Sequence, residues 1–97
     1  MIKEGQRCLT EGKLNDAQNL FEEANNLEKW KDVYGTVVLA NLAYICALKR
    51  NYSMAKHYME DYNVQYGKSE QAGNNYYDPD EYQKLSYAQD EIDREEI

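Results

Sequence analysis

Apolar residues in this chain fall at helical spacings, and one set of spacings is used twice. Ala17, Phe21 and Ala24 stand four and three positions apart, and Ala55, Met59 and Tyr62 repeat that spacing, each 38 positions further on. A period of that length, carried by small and large apolar residues in alternation, predicts stacked helical hairpins. The expected fold is all-α: antiparallel helix-turn-helix repeats followed by a C-terminal capping helix.

The elements follow in chain order. Ile2, Gly5, Cys8 and Leu9 share one face of a helix expected over residues 1–11. Gly12 ends it, because glycine adopts the left-handed conformation that closes a helix. Asn15 or Asp16 then offers a cap to a second helix that runs to about Leu27. Its Ala17, Leu20, Phe21, Ala24 and Leu27 oppose Gln18, Asn19, Glu22, Glu23 and Asn26, an amphipathic arrangement. Residues 29–32 read as a polar link anchored by Trp30. The third helix, expected over 32–49, carries Val33, Val37, Val38, Leu42, Ile45, Cys46 and Leu48 around more than half its circumference, which predicts burial on two sides. Arg50 to Tyr52 form a second turn, with Asn51 or Ser53 as cap, and a fourth helix to about Tyr66 turns Met54, Ala55, Tyr58, Met59 and Tyr62 inward. Residues 67–77, with two glycines and two asparagines, read as a loop. Asp78, Pro79, Asp80 and Glu81 then open a fifth helix by capping rules, with Tyr82, Leu85, Ala88 and Ile92 along it. Three segments result: 1–66 with two hairpins, 67–77 as loop, and 78–97 as an acidic helix.

Composition narrows the function classes. The 97 residues suit one domain with a limited core. No window approaches the roughly 18 apolar residues of a spanning helix, so a soluble, cytoplasmic chain in a reduced compartment is expected. Cys8 and Cys46 form no disulfide framework and no CxxC pair; both read as buried apolar thiols. The net charge of −7 is concentrated at the end: residues 78–97 hold eight acids against Lys84 and Arg94. That tail repels phosphate backbones, so no nucleic-acid partner is expected.

The repeated positions resemble the tetratricopeptide repeat family, whose unit carries W-x2-L-G-x2-Y, then A-x3-F, then P over about 34 residues. The second unit reads Leu39-x2-Leu42-Ala43-x2-Cys46, then Ala55-x3-Met59-x2-Tyr62, and the first reads Met1-x2-Glu4-Gly5-x2-Cys8, then Ala17-x3-Phe21-x2-Ala24. The closing proline is absent from both, Glu4 stands in place of a leucine, and the period implies about four extra residues near Trp30. The second unit is similar to the repeats of immunophilin-type co-chaperones. The resemblance implies close helix crossings at Gly5 with Ala17 and at Ala43 with Ala55. It also implies a concave groove lined by Lys3, Gln6 and Thr10 of the first helix and Asn41, Tyr44 and Leu48 of the third. Asn41 and Gln6 stand where peptide-clamping members keep asparagines. Lys3 is one place out of register with the clamp lysine, and a third hairpin with further cations is missing. Two hairpins are fewer than such arrays need, so the fifth helix or a partner chain must act as cap. The start at Met1 also fits a piece of a longer array.

Little in the sequence suggests catalysis. His57 is the single histidine and reads as a solvated residue between Lys56 and Glu60. Asp78-x-Asp80 opens like a calcium loop but lacks the required glycine, and Asn51-Tyr52-Ser53 reads as a turn. No cofactor or metal is expected. Ten tyrosines are present; Tyr76, Tyr77 and Tyr82, beside Tyr87, exceed what core packing needs and suit an interface, while a compositional bias that the asparagine content shares fits them equally well. Two functions emerge. One is a non-enzymatic scaffold or adaptor that binds a protein or peptide in its groove, self-associates, or docks into a multi-subunit assembly through its C-terminal region. The other is a co-chaperone-type clamp for an acidic C-terminal peptide.

Overall fold

The turn after the first helix recurs, bond for bond, after the third. The computed structural model describes residues 2–71 and 79–95, with backbone alone for 28–35 and 68–71. Gly12 has φ 80°, and 38 residues on Arg50 has φ 61°. The Gly12 N–H donates to the Leu9 carbonyl (3.1 Å) and Lys13 to Cys8 (2.8 Å); Arg50 donates to Ala47 (3.0 Å) and Asn51 to Cys46 (2.8 Å). Each pair is the double bond of a Schellman closure around one left-handed residue. The next helix also starts alike, with Ala17 N–H on the Lys13 carbonyl and Ala55 on Asn51, both at 3.0 Å.

The described residues form five helices: α1 (Ile2–Thr10), α2 (Leu14–Asn25), α3 (Glu28–Leu48), α4 (Tyr52–Gln71) and α5 (Pro79–Glu95). The described residues contain no strand, so the chain is all-α as expected. Residues 29–32 are helical, not a link: they contain neither glycine nor proline, and the chain turns at Leu27, whose backbone is extended (φ −92°, ψ 117°). The extra length of the repeat is thus absorbed in α3, with 21 residues against nine in α1. Residues 67–71 continue α4. A lone Gly67 weakens an established helix by about 1 kcal/mol without stopping it. The Trp30 and Val33 side chains lie outside the described atoms, as do Tyr76 and Tyr77 entirely.

The two turns divide their favourable residues between them. The first has glycine at the left-handed place but Lys13 at the α2 cap, with no side-chain cap bond. The second has Asn51, whose Oδ1 accepts from the Met54 N–H at 3.5 Å, but an arginine in the left-handed place. Asn15 and Asp16 lie inside α2, past the cap position where they were expected. Giving each turn the other's residue is therefore expected to stabilise the chain. Arg50→Gly removes left-handed strain worth about 1 kcal/mol, and Lys13→Asn adds a cap worth about the same. Each raises the thermal midpoint by a few degrees; a scan in which neither moves it rejects the equivalence of the turns.

The core sits on α3, which packs against α2, α4 and α5. Val38, Leu39, Ala40, Asn41, Leu42, Ala43, Ile45, Cys46 and Ala47 are all buried, which is why its sequence shows no single apolar stripe. Ala17 and Ala55, both fully buried, let neighbouring helices approach closely. Gly5 does the same on α1, and a β-carbon built there meets the Phe21 ring at 2.8 Å. α5 packs chiefly on α3 through Glu81, Ala88 and Ile92, while Gln83, Ser86, Gln89, Asp90 and Asp93 face outward. α1 likewise exposes Lys3, Glu4 and Arg7. Both ends of the helix series thus turn polar faces outward.

Candidate functional site

Three helices converge on a cleft. On α1, Gln6, Leu9 and Thr10 share a face by their spacing; on α3, Tyr44 and Leu48 are one turn apart; on α5, so are Asp80 and Lys84. Together they line an open cleft of about 420 Å³. Its walls mix leucine and tyrosine with groups that hydrogen-bond. The Thr10 hydroxyl donates to the Gln6 carbonyl at 3.0 Å. Tyr44 stands edge-on to Tyr87, with ring centroids 5.2 Å apart and planes at 71°, a favourable aromatic geometry. Lys84 Nζ lies 2.6 Å from Asp80; the lysine side chain is 14% exposed and the aspartate 59%. The cation is embedded in the wall while its carboxylate partner stays in water.

Of the residues expected in the groove, Gln6, Thr10, Tyr44 and Leu48 line this cleft. Lys3 is exposed but does not line it. Asn41 departs furthest from expectation: it is 1% exposed, and its Nδ2 donates to the Val37 carbonyl at 2.8 Å. Its amide is turned back onto its own helix, and it does not line the cleft. Tyr82 is 59% exposed and lies away from the cleft. Leu9, Asp80 and Lys84 were not expected there. Leu9 reads from sequence as core, and nothing in the spacing of Asp80 and Lys84 tells which helix α5 approaches. Their i, i+4 pairing was the one local signal.

A second polar group ties the hairpins together. Lys49 Nζ donates to Asn15 Oδ1 and Gln18 Oε1, both at 2.7 Å. Gln18 Nε2 donates to Glu22 Oε1 at 3.0 Å, and the Tyr58 hydroxyl donates to the same oxygen at 3.2 Å. These bonds join α2, α3 and α4. Cys46 lies buried beside them, whereas Cys8, its counterpart 38 residues earlier, is only partly buried. The two cysteines are therefore not equivalent: α1 lies at the edge of the bundle and α3 at its centre.

Burial, and then the Glu22 charge, push the Cys46 thiol above its ordinary 9.0, with Lys49 opposing. The same two causes push the Tyr58 hydroxyl up from its ordinary 10.0. A group whose folded pKa is raised contributes stability that is present below its ordinary pKa and is lost as pH rises through the folded value. Alkali above about pH 9 is thus expected to lower the urea midpoint, and Cys46→Ala to move the onset upward. An onset unchanged in that variant would show that the thiol is not responsible. At neutral pH a thiol reagent should modify Cys8 well before Cys46.

Among the described residues no three His, Cys, Asp or Glu side chains are grouped to hold a metal ion, and no helix is long and apolar enough to cross a membrane. His57 is exposed, with Nε2 3.4 Å from Asp61 on the next turn. The chain matches no family model, no curated protein and no solved structure at a significant level.

Proposed function

We propose that this chain is a non-enzymatic protein-interaction module of tetratricopeptide-like helical hairpins, and that its cleft receives a short segment of a partner protein. The observation that carries the reading is the convergence of Gln6, Thr10, Tyr44 and Leu48, residues of two equivalent helices, on one cleft closed by α5. The matching backbone closures at Gly12 and Arg50 support repeat descent of the two hairpins. The cleft volume suits a few residues of extended chain, not a whole helix, and its leucine and tyrosine walls supply the apolar contact that anchors such segments.

A second reading, the clamp for an acidic C-terminal peptide, draws support from Lys84. α5 brings a cation to the cleft, which the missing third hairpin was expected to supply. Against it stands Asn41, which is buried and committed to Val37.

A displayed-peptide selection against the chain tests both. Selected peptides are expected to perturb amide resonances of Leu9, Thr10, Tyr44 and Leu48 and to lose binding on Leu48→Arg. A consensus ending in acidic residues, with binding abolished by Lys84→Gln, selects the clamp. Peptides that map to the outer faces of α2 and α4 reject the cleft.

A further inference from the structure

The cleft presents its two charges unequally. Among the described residues, Asp80 and Lys84 are the ionised side chains of its lining, and the aspartate is 59% exposed against 14% for the lysine. The Lys84 ammonium is already bonded to Asp80 at 2.6 Å, so an incoming carboxylate would meet a cation that is both shielded and paired. The Asp80 carboxylate faces water, and a carboxylate accepts at about four lone-pair positions. What a ligand meets first is therefore the anion.

The backbone adds to this in the same sense. Thr10 and Leu48, both in the lining, are the last residues of α1 and α3, and a helix carries partial negative charge at its C-terminal end. The last turn of α3 holds no basic residue to offset it. The positive start of α5 is met by its own Asp80 and Glu81. Other cations near these helix ends are directed elsewhere: Lys49 donates to Asn15 and Gln18 of α2, and Arg7 lies 4.0 Å from Glu11. Neither lines the cleft, and neither do Lys3 and Arg50. The apolar wall fits the same ligand. Leu9, Leu48 and Tyr44 give surface along which the carbon stem of a lysine or arginine lies while its head reaches a polar group, and an aromatic ring attracts a cation to its face.

Resting on the reading that the cleft receives a segment of a partner protein, we infer that this segment is basic: a lysine or arginine packs its stem on Leu9, Tyr44 and Leu48 and pairs its head with Asp80. Asp80 is then the residue that determines specificity. Lys84 holds the carboxylate in place and competes with the ligand for it, so it lowers affinity. The net charge of −7 draws a basic segment towards the chain from a distance. This charge preference is opposite to that of a clamp for acidic peptides.

The test uses the full chain and a displayed library of short random peptides, flanked on both sides so that no terminal carboxylate is offered. Selected peptides that perturb the amides of Leu9, Thr10, Tyr44 and Leu48 are expected to be enriched in lysine and arginine and depleted in aspartate and glutamate. One of them, made with capped ends, should bind the Asp80→Asn chain about fivefold more weakly, the size of one exposed ion pair. Asp80→Glu, which restores the charge, should recover most of that loss. Lys84→Met, which keeps the apolar stem in the wall, should bind the peptide more tightly than the unaltered chain. The same peptide with its cation replaced by glutamine should bind Asp80→Asn and the unaltered chain alike, which closes a double-mutant cycle. Cleft-bound peptides that are neutral or acidic, or binding lost on Lys84→Met, overturn the inference and leave the cleft a binding site. An Asp80→Asn loss that the glutamine peptide shares overturns it too, because the carboxylate would then not meet the ligand's cation. A selection that yields no peptide perturbing the cleft amides overturns both the inference and the reading beneath it.

Discussion

Gly5→Ala is expected to destabilise the chain by about 1–3 kcal/mol, the usual cost of overpacking. The sign is informative, because alanine for glycine inside a helix otherwise gains about 0.5–1 kcal/mol. The added methyl would stand 2.8–3.2 Å from three carbons of the Phe21 ring. Phe21 is fully buried and has no free space to turn into. The second hairpin shows how the same site is solved differently: Ala43 replaces Gly5 and Met59 replaces Phe21 at the 38-residue offset. A thioether is narrower and more flexible than a phenyl ring. Phe21→Met is therefore expected to cost stability alone and to reverse the sign of Gly5→Ala in the double variant. Urea unfolding of the four chains closes the cycle. A Gly5→Ala cost that persists in the Phe21→Met background would mean that the ring is not what the methyl meets.

Ile92→Ala is expected to cost about 2–4 kcal/mol, although it lies one turn from the end of the described part of α5. The residue is 3% exposed and belongs to the same core cluster as Leu42 and Ile45. Leu85→Ala, at a half-buried place, should cost less. The loss is expected to fall on α5 first, with its amides losing protection while α2 and α3 keep theirs. Circular dichroism against urea gives the total, and amide exchange gives its distribution. A change below about 0.5 kcal/mol, the range of ordinary surface substitutions, would place α5 outside the cooperative unit.

The sequence alone determined the all-α class, the five helices of the described residues and part of their interior. Ala17, Phe21, Ala24 and Ala55 read as core from spacing, and all four are fully buried. That is physically reasonable, since the period of an apolar pattern depends only on local geometry, and Gly12 and Pro79 mark ends through their own backbone preferences. The boundaries near residues 28–32 and 67–71 read wrongly because polar residues and one glycine lower helix propensity without forbidding a helix that packing extends. What only the tertiary structure decided is where α5 goes. Its stripe announces that one side is buried but not against which helix, because long-range packing is chosen by complementarity of whole faces. That choice brought Asp80 and Lys84 to the cleft, and the central place of α3 among its neighbours made Cys46 a core residue while its sequence twin Cys8 stayed at the edge.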